Sequence, residues 1–217
     1  MIKNKSFTLI ELLVVIVIIG ILAGVIIVST SSSISKANFA KAQAFSNTVQ
    51  QELLLNLVSE WTFDNASNLG EDTWGNNNGT VYGSPVLAIK EECVYGTCLI
   101  FDGVDDYLNC GQGVNNSLQL VDSMTFELWI KPDDFLVRRS VMDKTIYGEI
   151  SVTQEMSKSI NFYWGTGSPT YQGFGTGSLI EGSWNYFAIV RNLDPSVMKF
   201  TRYINGQKIG NTTANFA

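Results

Sequence analysis

The sequence predicts an α+β chain by segregation: one long N-terminal helix, membrane-spanning in its first half, then an all-β jelly-roll or sandwich domain. Three observations predict it. An apolar run begins at Leu9 and continues to Val28, broken only by Glu11. All four prolines and seventeen of the nineteen glycines fall after residue 58, so little before that point interrupts a helix. Beyond it, helical spacing gives way to short alternating runs separated by turn residues.

The helix should run from about Phe7 to Leu57, roughly 75 Å at 1.5 Å per residue. Residues 9–28 are the expected membrane span, since about 20 apolar residues cross the hydrocarbon core. The second half is amphipathic, with Phe45, Val49, Leu53 and Leu57 at four-residue spacing and Ala37 and Ala44 nearby. That face can cover the following domain, neighbouring helices, or both. Gly20 and Gly24 either permit close helix approach or mark a locally weak helix.

Glu11 stands where a charge is costly. A carboxylate inside a membrane-length run costs about 2.5–3.5 kcal/mol on insertion scales, so such a residue normally has a partner. Ahead of it lies the basic leader Lys3-Asn4-Lys5-Ser6, running into Phe7-Thr8-Leu9-Ile10-Glu11-Leu12. These residues resemble the type IV prepilin family, including the pseudopilins of type II secretion systems. The resemblance implies cleavage between Ser6 and Phe7 by a prepilin peptidase and N-methylation of the freed Phe7 amine. It also implies that Glu11 pairs with that amine on a neighbouring subunit during filament assembly. Ser6 departs from the glycine usual before the cut, one small residue for another. A secretory signal fits less well, because its apolar core of about 7–15 residues precedes a small-residue cleavage site. Here the charge falls inside the run, and Ser29–Ser33 offers no such site.

The second part is read strand by strand. Met124–Lys131 alternates, with Met124, Phe126, Leu128 and Ile130 on one face, and Ile160, Phe162 and Trp164 do the same. Trp184–Arg191 is apolar on both parities, as a central strand covered on both sides would be. Lys199–Ile204 ends at Asn205-Gly206, a hairpin signal, and Gln207-Lys-Ile reads as the returning strand. Several segments, in order, resemble the laminin-G-like or concanavalin A-like jelly-roll family. They are Trp61–Asp64, Asp72–Asn76, Asn78–Thr80, Phe101–Tyr107, the 124–132 and 184–191 strands, and Tyr203–Gly206. Domains of that family normally continue past the hairpin, so the resemblance implies a domain incomplete at its C-terminus with an open sheet edge. The expected division is residues 1–6 leader, 7–58 helix and 59–217 sandwich.

Cys93 and Cys98 flank Val-Tyr-Gly-Thr, a spacing that suits a disulfide across a tight hairpin in an oxidising compartment. Cys110 is then left over; the alternative is three unpaired cysteines. The chain has no histidine, which excludes Ser-His, Cys-His and imidazole-zinc chemistry. No Glu-x-Asp-x-Glu run supplies the paired carboxylates of a retaining glucanase, and Asp102, Asp105 and Asp106 read as turn residues. The domain is therefore expected to be non-enzymatic. The first 58 residues carry a net charge of +2 and the remainder −8, so no nucleic-acid partner is expected.

The resemblance implies glycan or surface-protein ligands and, in some members, calcium. Asp64, Asp72 and Asn76 are the candidate oxygen ligands; the same residues otherwise serve as caps and turns. No cofactor is required. Trp74, Tyr147 and Tyr171 stand in loop-like contexts that suit sugar stacking, whereas Trp129 is expected to pack inside. The expected function is that of a minor or tip subunit of a type IV pilus or related filament, displaying a binding domain. The helix holds it in the cytoplasmic membrane before assembly, and the filament carries it to the cell surface. Its partners are the prepilin peptidase/methyltransferase and other pilin subunits. The alternatives are a type II secretion pseudopilin and a non-polymerising, membrane-anchored, lectin-like protein.

Overall fold

The structure, a computed structural model, describes residues 8–113, 115, 117–119, 122–144, 150–164, 172–193 and 198–214. Ser6 and Phe7 lie outside them, as do Tyr147 and Tyr171. A single helix, α1, spans Leu9–Leu53, and a 3-10 turn at Leu54–Asn56 leads out of it. Thr8 caps its start. The Thr8 backbone N–H donates to Glu11 Oε2 at 2.8 Å, and the Glu11 N–H donates back to Thr8 Oγ1 at 3.3 Å. That reciprocal pair is a capping box, which satisfies two of the donors a helix N-terminus leaves open.

The chain divides into two compact units, Met1–Lys41 and Ala42–Ala217. In the first, the apolar side chains of Leu9–Val25 point outward all round, from 43% exposed at Val15 to 82% at Leu9. A helix apolar on every side needs a covering that it does not supply itself. Among the described residues no helix is long and apolar enough to cross a membrane. The described side chains of the run stop at Val25, short of the span expected over 9–28.

The second unit opens with two short antiparallel ribbons. They are β1 (Thr80–Tyr82) with β4 (Tyr107–Asn109), and β2 (Val86–Ala88) with β3 (Cys98–Ile100). Two four-stranded antiparallel sheets follow. One is ordered β12-β11-β10-β5, from β5 (Met124–Ile130), β10 (Asn185–Leu193), β11 (Met198–Ile204) and β12 (Gln207–Ala214). The other is ordered β6-β7-β8-β9, from β6 (Arg139–Lys144), β7 (Ile150–Gln154), β8 (Ser159–Trp164) and β9 (Gln172–Ser178). Together they form a β-sandwich consistent with a jelly roll. Ile150, Val152, Ile160 and Phe162 from one sheet bury against Phe187, Ile189 and Phe200 from the other. The Phe162 and Phe200 rings meet at 5.3 Å; burying each such side chain contributes about 1.5–3 kcal/mol.

β10 is buried on both faces, as its double-parity pattern predicts. Phe187 and Ile189 enter the sandwich core, while Tyr186 and Ala188 pack with Ala42 of α1 in a second cluster. Trp129 belongs to that second cluster, so it packs under the helix rather than between the sheets. Phe45 meets Tyr186 at 5.8 Å and Tyr203 at 5.1 Å. The deepest helix positions are small ones, Ala42 and Ser46. Phe45, Val49, Leu53 and Leu57 are only half-buried, and Ala37 and Ala44 are exposed. Small side chains let the helix backbone settle onto the sheet, and the large ones flank the contact.

Asn205 (φ 49°) and Gly206 (φ 70°) make the β11–β12 turn, the left-handed pair a two-residue hairpin requires. Asn205 also donates its N–H to the Tyr186 carbonyl at 2.9 Å, and its Oδ1 accepts the Tyr186 N–H at 2.8 Å. Asn185 Nδ2, one residue before, donates to the Ile180 and Ser183 carbonyls. Cys93 and Cys98 are disulfide-bonded. The bond ties the end of a 3-10 turn (Lys90–Glu92) to the start of β3, rather than crossing a hairpin. Cys110 is free and half-buried, and burial, then the charge of Asp72, pushes its thiol up to about 11.

Candidate functional site

In the second unit, α1 covers the outer face of the β5/β10/β11 sheet, which directs attention to the outer face of the other sheet. On β7 and β8, Val152, Ile160 and Phe162 point into the core, so Ser151, Thr153, Asn161 and Tyr163 point outward. The parity carries on to Glu155, just past β7, and to Arg138, just before β6. Across β9, Gly173 stands opposite Tyr163 and Gly175 opposite Asn161. Of these residues Ser151 and Thr153 are buried, Asn161 and Tyr163 are half-buried, and Gly175 is exposed.

The polar side chains hold one another in place. Glu155 Oε1 accepts from Thr153 Oγ1 at 2.6 Å and from the Tyr163 hydroxyl at 3.3 Å. It also pairs with Arg138 Nε at 3.0 Å. Asn161 Nδ2 donates to the Tyr163 oxygen at 3.1 Å, and Ser159 Oγ donates to Asn161 Oδ1 at 3.2 Å. The Arg138 guanidinium lies 5.0 Å from the Tyr163 ring centre, a cation–π distance. Arg138 is half exposed, while Glu155 is largely covered. Six side chains from β7, β8 and the flanks of β6 and β7 thus form a fixed array of donors and acceptors. Sequence reading missed this array, because its members are spread from Arg138 to Tyr163 and meet only through sheet register. Alternation of polar residues on 151–155 and 159–163 was the available signal.

A concavity of about 260 Å³ lies beside the β1–β4 ribbon, lined by Ser84, Val86, Ile100, Asp102, Asp105 and Asp106. Tyr82 and Tyr107 stack next to it at 4.6 Å. The three carboxylates have oxygens within 4.8 Å of one another. The oxygens of Asp102 and Asp106 already serve the main chain. Asp106 accepts the N–H of Ser84 and of Asp102, and Asp102 Oδ1 accepts that of Val104. They act as turn residues, as the sequence suggests.

The three candidate calcium ligands are similarly engaged. Asp72 is buried; its Oδ1 accepts the N–H of Glu60, Trp74 and Gly75, and its Oδ2 that of Asn77. Burial by itself would raise this carboxyl, but those hydrogen bonds outweigh it and hold it below its ordinary range. Asp64 Oδ1 accepts the Thr97 N–H at 2.7 Å, and Asn76 is exposed. Calcium takes six to eight oxygens, and a cation here would compete with backbone donors for the same lone pairs. The set does not fit a calcium cage. Trp74 is half exposed on the same loop.

At the N-terminus, Glu11 has an intrachain partner in Thr8, whose hydroxyl also donates to Glu11 Oε2 at 2.6 Å. The Thr-x-x-Glu spacing is itself a capping-box signature, a signal that the reading of Glu11 as an assembly residue passed over. Apart from the chain neighbours and the adjoining helix backbone, no described atom lies within 4 Å of where a Cβ would sit on Gly20 or Gly24.

Comparison with known proteins bears on the family and the fold. The family model of the concanavalin A-like lectin/glucanase superfamily, a laminin G type, matches residues 102–217, more than half of the chain. The chain belongs to that superfamily. A second model, the prokaryotic N-terminal methylation motif, matches residues 1–27. Among solved structures, one of botulinum neurotoxin type C, whose cell entry is described as dependent on two ganglioside molecules, is similar at 18% identity with a TM-score of 0.51. The match covers 74% of this chain and 39% of that one, and at such identity it speaks to the fold alone. No curated protein matches the chain.

Proposed function

We propose that this chain is a structural subunit, minor or at the tip, of a type IV pilus or related filament, and that its sandwich displays a binding face for glycan or protein ligands at the cell surface. The observation that carries the proposal is the continuity of the methylation motif with α1, which then docks through Ala42 and Ser46 onto the sandwich. The exposed apolar flank of Leu9–Val25 supports storage in the cytoplasmic membrane and, after assembly, burial among neighbouring helices. Ser6 and Phe7 are the processing positions in this reading, and Glu11 partners the freed amine of an adjacent subunit. The sandwich is read as binding rather than hydrolysing, because no Glu-x-Asp-x-Glu run supplies the paired carboxylates of a retaining glycosidase.

The test is mass spectrometry of the N-terminus of protein extracted from membranes. N-methylated Phe7 is the expected mature end; an end at Met1, or beyond Val28, overturns the proposal. Glu11→Val is expected to abolish filament incorporation while leaving the sandwich folded.

A further inference from the structure

We propose that an exposed stripe of α1 on one copy of this chain docks against the concavity beside the β1–β4 ribbon of a second copy, with Lys41 of the first pairing with Asp105 of the other. The inference rests on the filament reading and names a contact between its subunits. Ile34, Ala37, Lys41, Ala44 and Thr48 recur at alternating three- and four-residue spacing, which sets them along one side of the helix. All five are exposed, Ile34 by 55%. The seat on the sandwich uses a different side, through Ala42 and Ser46. Lys41 has no ion pair or hydrogen bond among the described residues. Between Glu11 and Glu52 the helix carries Lys36 and Lys41 and no acid.

The concavity supplies the complement. Val86 stands opposite Ile100 across β2 and β3, and Tyr82 opposite Tyr107 across β1 and β4. These four side chains are 43–60% exposed, and Val104 is 86% exposed. Apolar side chains gathered round one hollow, rather than scattered singly, mark a contact surface. Asp102 and Asp106 are occupied by the turn, whereas the Asp105 side chain has no partner among the described residues. Arg139, beside Gly103, is held by Asp134 at 2.7 Å and does not answer Asp105. Each surface thus offers one unanswered charge, of opposite sign, with exposed apolar groups around it. Two sandwiches meet with like charge, since residues 59–217 carry −8, which leaves the basic stretch of α1 as the complement. Because the two patches differ, each copy turns one to each neighbour, and the contact generates an open row rather than a closed pair.

The experiment is cysteine cross-linking of the full chain in membranes isolated from the cells that express it. Ile34→Cys and Val104→Cys are placed together in a Cys110→Ala background and bridged with a short bismaleimide. A ladder of dimers, trimers and longer products on a denaturing gel is expected, and either cysteine alone should give nothing longer than a dimer. Lys41→Asp or Asp105→Lys should cut the ladder about fivefold, as an exposed pair turned to repulsion would. The two substitutions together should restore it, which also shows that neither alone unfolds the chain. Lys36→Asp makes the same charge change about 140° round the helix and should leave the ladder unchanged. No ladder, a ladder indifferent to both single charge reversals, no restoration by the pair, or cross-linking to a different protein in place of a second copy overturns the inference. N-methylated Phe7 without a ladder removes this contact and leaves the filament reading standing; a ladder from a chain that still begins at Met1 does the reverse.

Discussion

Tyr186 donates its phenolic proton to Glu127 Oε2 beneath α1, placing a half-buried carboxyl at the seam between helix and sheet. Burial raises the Glu127 carboxyl; the hydrogen bond from Tyr186 opposes that and the charge of Glu60 adds to it. Burial and Glu127 likewise hold Tyr186 protonated well above the usual phenol range, so it remains the donor. A carboxyl raised in the folded state binds more protons than the unfolded chain does. Stability therefore falls as pH rises from the ordinary glutamate value of about 4.3 through the raised folded value. Glu127→Gln should flatten that slope in denaturant unfolding measured across the window. An unchanged slope would locate the titration elsewhere.

The helix seat itself is testable by size. Ala42→Leu and Ser46→Leu insert bulk where the helix lies flush on Tyr186 and Ala188, and overpacking of this kind costs about 1–3 kcal/mol. In a domain of this size that lowers Tm by about 2–4 °C per kcal/mol. Ala44→Leu, on the exposed side, should leave Tm within error of the parent. Equal effects at all three positions would mean that the helix does not seat through Ala42 and Ser46.

Asp72 gathers four backbone N–H groups. Asp72→Asn replaces an acceptor by an amide donor against one of them, and an unsatisfied buried group costs about 1–3 kcal/mol. Because its folded carboxyl is held below the ordinary value of about 3.9, its contribution is full above that value. It is lost as pH falls through the lower folded one. Calcium should leave Tm unchanged, since the oxygens are occupied; a calcium-dependent rise would count against that account.

The cysteines separate by reactivity. Reduction should add two hydrogens to the intact mass and, by the loop-entropy relation for so short a ring, cost about 2 kcal/mol. Cys110, raised to about 11, holds little thiolate at pH 8 and should alkylate slowly in the folded chain. Rapid labelling of Cys110 before reduction would contradict its half-buried setting.

Residues whose pattern is local were legible before any coordinates. The alternation at 124–130 and 160–164, the double-parity run at 185–190 and the Asn205-Gly206 turn each carry their meaning within a few positions. So does the motif from Phe7 to Leu12. β9 was not legible, because Gly173, Gly175 and Gly177 strip it of the apolar alternation that marks a strand. Ser46 was missed for a related reason: a hydroxyl suggests solvent, yet a small side chain is what a close helix seat requires. The Arg138–Glu155–Tyr163 array was invisible because only antiparallel register brings those residues together. Asp72 read as a ligand because a buried carboxylate satisfied by main-chain donors leaves the same sequence trace as one satisfied by a cation.

The corner at Asn205 bears on how the chain is made. Its turn closes within a few residues, but its amide and side-chain oxygen are answered by Tyr186, 19 residues earlier. A nascent polypeptide that bends there without β10 alongside leaves those groups to water. One asparagine thereby ties the last hairpin to the strand beneath the helix.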